Sequence, residues 1–353
     1  MTPDADLLLE GPRGRRLCLE LAMDLDPDIR LMVFRLGYYL DSGRGTSRVL
    51  LTADSADDAG TPPAAPSPGV LAAALRHLAA ADLDDAPVQS ALERAVDTAR
   101  YWQEPDGEDV LAGLPLVRAA LLPLARRVIA APGARWWNEG RGVEQWAIDW
   151  RPADDPAPLK VPQSTLVEWV MRVREAEVRA AHDLPADPHA PVSGGWWSVP
   201  PDPVRTVGRI PAGLSLVEDS LGWEVATTIP VRGVGRTLEI RTPGDWTNLC
   251  QRFPLDVTAS RRHDWFRTTG RDGRWVIPDW ERVADEWDAV HLTVLGYLSG
   301  AGRALPVSPG TATVIAGWDP DSTIWLTDVA REWEGPRQSW HRVSRDRSWR
   351  RLH

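Results

Sequence analysis

The chain has 353 residues, 43% of them hydrophobic and 25% charged, a globular composition whose length predicts two domains of ordinary size. A formal net charge of -10 repels phosphate backbones at long range, which disfavours general nucleic-acid binding, and no apolar run approaches the roughly 18 residues of a membrane span. The acidic first residues do not read as an export signal, and Cys18 and Cys250 are too few for a disulfide framework, so the expectation is a cytoplasmic protein with two buried thiols and no structural metal.

Residues 1–150 read as a helix-rich domain. Helices are predicted over 15–25 and 27–40, the second entered through Asp26 and Pro27, an acceptor side chain followed by a residue whose φ suits the first helical turn. A strand over 31–39 is the competing reading there. Residues 49–52 read as a short strand, and 53–68, rich in Ala, Asp, Pro and Ser, as a loop. Further helices are expected over 69–81, 86–103, 108–114 and 116–131, the last kinked or split at Pro123. Glu104, Asp106, Glu108 and Asp109 read as a solvated helix N-terminus, the end of the dipole that acids favour.

A strand is expected over 145–151. The stretch 152–162 holds four prolines and is the clearest boundary, so 151–192 is taken as a boundary with a connector helix. That helix starts at a capping box of Thr165 and Glu168 and continues to about 182 on the stripe Leu166, Trp169, Val170 and Val173.

From 193 the pattern changes to strands and turns. Strands are predicted over 195–199, 214–217, 223–231, 237–241, 275–277, 289–294, 312–318 and 323–327, with helices over 245–253 and 278–287. Gly233 and Gly235 read as a hairpin turn, and 312–318 with 323–327 as a hairpin across Pro320. The fold class is therefore α+β: a helical N-terminal half, then a mostly antiparallel, Trp-rich α+β domain over 193–330, then a basic tail over 331–353 in which Arg and Trp interleave. The simplest reading of the tail is a loosely docked terminus.

The chain has no Walker loop, GxGxxG after a strand, HExxH or GxSxG. Candidates rest on position, in polar clusters at strand ends and loops. Glu218, Asp219 and His263 are the catalytic candidates, since carboxylates and an imidazole can move protons or stabilise a cationic centre. Trp197, Ser198, Arg209, Arg262, His291, Asp319 and Trp325 are the ligand-binding candidates: the aromatics for stacking, the arginines for phosphate. Bland alternatives stand beside each. Any one of the 19 tryptophans reads first as core. His263 and Asp264 on an extended segment would face opposite ways, His291 reads as a satisfied interior histidine, and the Asp319 and Asp321 spacing is explained by a Pro turn.

The run Gly222-Trp223-Glu224, then Pro243-Gly244-Asp245-Trp246, then Pro278-Asp279-Trp280-Glu281, then Trp287-Asp288-Ala289-Val290-His291, and finally Gly317-Trp318-Asp319 resembles uncharacterised bacterial domains, some of them similar to small ADP-ribosyltransferase-like folds. The resemblance covers about 193–328. It implies a nucleotide-handling enzyme that cleaves, or transfers from, NAD or a related nucleotide as its substrate. No catalytic residue is carried over, because Arg209 and Ser198 stand in the reverse order and Asp319, Asp321 and Ser322 occupy the place of the late Glu. The alternatives are a protein-interaction module using exposed Trp and the basic tail, and a specialised-metabolism enzyme of another class.

Overall fold

The computed structural model describes residues 5–44, 66–78, 83–150, 162–201, 205–220, 222–343 and 348–352. The first part is helical: α1 (Ala5–Glu10), α2 (Pro12–Leu25), α3 (Pro27–Leu40), α4 (Pro68–His77), α5 (Asp85–Asp97), α6 (Gly107–Gly113) and α7 (Pro115–Ala130), followed by a 3-10 helix (Pro132–Asn138). Proline opens α2, α3, α4 and α7, where its missing N–H costs nothing. The Asp26 side chain caps α3 by accepting from the Asp28 and Ile29 amides, and Ile29, Val33 and Leu36 bury one helical face. That arrangement overturns the strand alternative over 31–39. α7 runs through Pro123 as one helix, neither split nor ended, because Val117, Leu121, Leu124 and Val128 anchor its inner face on both sides of the proline. α5 stops at Asp97, six residues short of the predicted end, and residues 98–103 turn away.

The acidic corner does stand at a helix N-terminus and Glu104 is exposed, but the other three carboxylates are ion-paired, not simply solvated. Asp106 caps α6, and the buried Arg16 reaches Asp106 at 2.9 Å, Glu20 at 2.8 Å and Asp109 at 3.5 Å, with Glu108 also in contact. Burial alone would depress the Arg16 pKa, but four surrounding carboxylates outweigh it and raise it.

The remaining elements are β1 (Glu144–Asp149), α8 (Pro162–Asp183), β2 (Arg205–Val207), α9 (Ala212–Ser215), β3 (Val225–Gly233), β4 (Thr237–Ile240), α10 (Pro243–Arg252), β5 (Pro254–Asp256), α11 (Thr258–Thr269), β6 (Arg274–Pro278), α12 (Trp280–Ala284), β7 (Ala289–Leu292), α13 (Val294–Gly300), β8 (Leu305–Ser308), β9 (Thr311–Thr313), β10 (Ser322–Trp325), β11 (Ala330–Glu332), β12 (Gln338–Arg342) and β13 (Trp349–Arg351). A large sheet runs β13-β12-β3-β1-β2-β10-β7-β4 with β11 also on β3, and a smaller one runs β5-β6-β9-β8. The pairings are antiparallel except β4 with β7 and β6 with β9, so the fold is α+β with a mostly antiparallel strand-rich part. β1, which comes from the first 150 residues, sits between β2 and β3. One hydrophobic core continues from Leu8, Leu17 and Leu121 in the helices to Trp246, Trp318 and Leu326.

Several local expectations fail for tertiary reasons. Residues 195–199 form no strand; they run beside 316, with Ser198 bonded to Ala316 through both backbone and hydroxyl. Most of 214–217 belongs to α9 and the turn after it. Gly233 and Gly235 do not close a hairpin, because β3 pairs with β1, β11 and β12 while β4 crosses to β7. The second hairpin fails likewise, since β9 belongs to the small sheet and β10 to the large one. α8 starts at Pro162, which places Thr165 inside the helix instead of at its cap. α11 and α13 are helices that sequence reading did not foresee; the buried side of α11 is largely polar, with Arg261, His263, Asp264 and Thr268 among its inward residues.

The tail is a further correction. Over its described residues it forms β11, β12 and β13, with β11 and β12 both laid against β3. The predicted strand at 49–52, most of the loop at 53–68 and all of the boundary at 152–162 except its last residue lie outside the described residues. Ser67 and Pro68, at the end of that loop, cap and open α4.

Candidate functional site

A cavity of about 320 Å³ opens where the helical and strand-rich parts meet, within the size range of small-molecule sites. Its walls come from several chain segments. The turn after α5 supplies Tyr101 and Trp102, the extended run before β2 supplies Trp196 and Trp197, and Glu218, Asp219 and Asp319 together supply an acidic side. Trp150 and Trp223 close the remaining side.

The aromatic wall is continuous. Tyr101 stacks on Trp196 at 5.9 Å, Trp102 lies 4.9 Å from Trp196, and Trp196 stacks on Trp197 at 4.6 Å. Opposite them Trp150 stacks on Trp223 at 6.0 Å. Trp102, Trp150, Trp196 and Trp197 are only partly buried and Trp223 is exposed, whereas Trp246, Trp265, Trp275, Trp280, Trp318 and Trp325 are fully enclosed core residues.

α11 holds this wall in place. Its Arg267 donates to the Trp102 carbonyl at 2.9 Å, its Trp265 indole to the Trp196 carbonyl at 2.9 Å, and its Arg261 to the Trp197 carbonyl at 3.2 Å. Gly317 completes the fit. It has φ +76, and a Cβ there would come within 2.6 Å of the Trp197 ring, so both the backbone conformation and the space require glycine.

The acidic side is equally fixed. The Glu218 amide donates to Asp319 at 2.9 Å, the Ser220 amide donates to Asp97 at 3.0 Å, and Asp219, at φ +46, pairs with Arg100 at 2.8 Å. Asp tolerates that left-handed conformation better than most residues. The buried Tyr101 hydroxyl donates to Glu218 Oε1.

Burial pushes the Glu218 carboxyl up to about 8, with the neighbouring Asp319 charge adding to the shift and the Tyr101 hydrogen bond opposing it. Asp319 is also raised by burial. Tyr101 and Tyr297 are held well above the usual tyrosine range, again by burial, with the Glu218 carboxylate adding to it, and remain protonated. Arg205 lies 5.7 Å over Trp197, its guanidinium donating to the carbonyls of Gly317 and Pro200.

Chemically, the aromatic faces present negative quadrupole and the acidic groups can take up negative charge beside a cation, so a flat, electron-poor or cationic ring matches this cavity. A pKa of about 8 keeps Glu218 protonated at neutral pH. A bound cation would favour its ionised form and create a base beside the ligand.

Of the residues proposed from sequence, the structure brings Glu218, Asp219, Asp319 and Trp197 to this one cavity. It places the others elsewhere. Ser198 is buried and clips 198 to 316. Arg209 stacks on Trp136 at 5.1 Å and pairs with Glu139. Arg262 donates to the Pro185 carbonyl. His263 is buried on α11, and the adjacent Asp264 is taken by Ser193, Gly194 and Arg267. They share a helix, not an extended segment. Trp325 is core, its indole donating to Thr206 at 2.8 Å. His291 belongs to a buried polar row of the large sheet. Its Nδ1 lies 3.0 Å from the Thr323 hydroxyl, and Gln145 accepts from Thr206 and Thr323. Burial, aided by Arg141 and Arg241, lowers the His291 pKa to about 3 and keeps the ring neutral.

Sequence reading missed Tyr101, Trp102, Trp150, Arg205 and Trp223 as cavity residues, and Trp196 entered it only as a neighbour of Trp197. Trp102 beside an acidic run was a visible oddity. Tyr101 carried no signal, since it fell inside a helix predicted to reach 103.

Among the described residues, no cluster of three or more His, Cys, Asp or Glu could hold a metal ion, and no helix is long and apolar enough to cross a membrane. Comparison with known proteins finds no matching family model, no matching curated protein and no matching solved structure.

Proposed function

We propose that the aromatic cavity binds the planar cationic ring of a nucleotide and that the protein cleaves the bond joining this ring to its sugar, or transfers the sugar from it, with NAD as the substrate. The observation that carries the reading is the meeting of Glu218, Asp319 and a six-membered aromatic enclosure at one cavity. The pyridinium ring of NAD is flat and positively charged, so stacking and carboxylate attraction act on it together.

In the proposed reaction the electron pair of the ring-to-sugar bond leaves with the ring nitrogen, which neutralises the ring. The sugar carbon acquires positive character that Asp319 offsets. Water, or a hydroxyl acceptor, forms the new bond to that carbon, and its proton passes to ionised Glu218. Burial raises the Glu218 pKa to about 8 and the cationic ring lowers it from there, which brings the base toward neutrality for this step.

The test is release of nicotinamide from NAD by the purified protein. Glu218→Gln should lower turnover by about 10²–10⁴-fold, the usual loss of a general base. Release that is absent in the native protein, or unchanged in the variant, overturns the proposal. An interaction module acting through the basic tail draws less support, because the described tail residues are already committed to the large sheet.

A further inference from the structure

A second cavity, of about 400 Å³, lies on the other side of the turn after α5. The two cavities share Ala99 and Tyr101, and the residues on either side of Tyr101 serve them differently: Arg100 lines the second cavity and Trp102 the first. Where the first is aromatic and acidic, the second is basic. Arg13, Arg15, Arg100 and Arg303 line it, with Asp109 its one carboxylate.

The guanidiniums do not share one fate. Arg13 is buried and tied to Asp109, Thr98 and the Ala95 carbonyl. Arg100 pairs with Asp219 and Arg303 with Glu10 at 2.9 Å. Arg15 has no carboxylate within ion-pair distance among the described residues. Its Nη1 donates to the carbonyls of Leu9 and Glu10, and its Nε is enclosed without a partner. Burial, and the nearby Arg118, Arg13 and Arg303 charges, push its pKa down to about 10. A cation crowded by other cations, with a buried donor unused, at the edge of a cavity, is the complement of an anion.

We propose that this arginine-lined cavity is a phosphate or pyrophosphate site, with Arg15 as the donor that the anion completes, and that it holds the phosphates of the ligand whose ring occupies the aromatic cavity. The second clause rests on the function proposed above; the first does not. Tyr101 and Ala99 then form the partition over which one nucleotide lies, ring to the carboxylate side and phosphates to the arginine side. The Arg100 to Asp219 ion pair spans the same partition and couples the two subsites.

The experiment titrates the full chain separately with inorganic pyrophosphate and with the N-methylnicotinamide cation, the latter followed by quenching of Trp fluorescence. Pyrophosphate is expected to bind more weakly as salt rises. Arg15→Met should weaken it at least tenfold while N-methylnicotinamide affinity stays within twofold, and NAD should displace both probes. Arg303→Gln, on a different chain segment, repeats the test should Arg15→Met fail to fold. Pyrophosphate that does not bind, or binds both variants as tightly as the native protein, overturns the anion site. Arg15-dependent pyrophosphate binding without N-methylnicotinamide binding upholds the anion site and removes the ring reading. NAD that displaces only one probe overturns the shared-ligand clause.

Discussion

Glu218 combines a proposed catalytic role with a cost to the fold. Its ordinary pKa of 4.5 rises to about 8 in the native state, so the native protein holds a proton that the unfolded chain has released over this interval. The contribution is fully present below 4.5 and is lost as pH rises through 8. Asp321, raised to about 7 by burial, acts in the same direction, while His291, lowered to about 3, acts oppositely and costs stability as pH falls below 6.5. Glu218→Gln removes only the first of these. Urea unfolding at pH 5 and pH 8 is therefore expected to show a larger loss of stability in the native protein than in the variant. Parallel profiles would mean that the carboxyl group is not buried as described.

At the level of elements, the site depends on pieces whose sequences do not advertise it. α11 has few apolar residues, yet Arg261, Trp265 and Arg267 hold the three tryptophan-bearing backbones of the aromatic wall. The cluster 261–265, singled out as chemistry, serves as positioning. The tail reaches the site as well: Trp349 of β13 is buried and lies 5.9 Å from Trp150, which in turn stacks on Trp223. Truncation after Asp328 strips β11 and β12 from β3 and empties the Trp349 position. Losing one such buried Trp costs about 3–5 kcal/mol, so the truncated chain should melt several degrees lower and lose the Trp150 side of the cavity. A melting point within a degree of the full chain would mark the tail as peripheral.

Across the whole molecule, the predicted border near 151–162 does not divide the described packing. β1 fills the place between β2 and β3, α13 packs against α1 and α2, and the cavity draws on both parts. A fragment beginning at Pro162 would lack the central strand of its sheet and leave apolar faces of α13 uncovered. It is expected to show no cooperative thermal transition, whereas the full chain should unfold in one. Cooperative folding of the fragment alone would establish independent domains.

The α+β class, the helical first part and most of its helix starts were legible in the sequence, because proline at the first helical position, an Asp cap at α3 and apolar residues on one face are local causes. Glu218, Asp219, Asp319 and Trp197 were legible as polar or aromatic residues at loop positions. Their meeting was not, and neither were Tyr101 and Arg205 as their neighbours. Strand partners, the insertion of β1, the folded tail and the raised Glu218 pKa depend on contacts between residues far apart in the chain, such as Trp146 with Val207, Tyr101 with Glu218 and Glu218 with Asp319. Local propensity carries no information about such pairings; burial and the approach of distant charges exist only once the chain has packed.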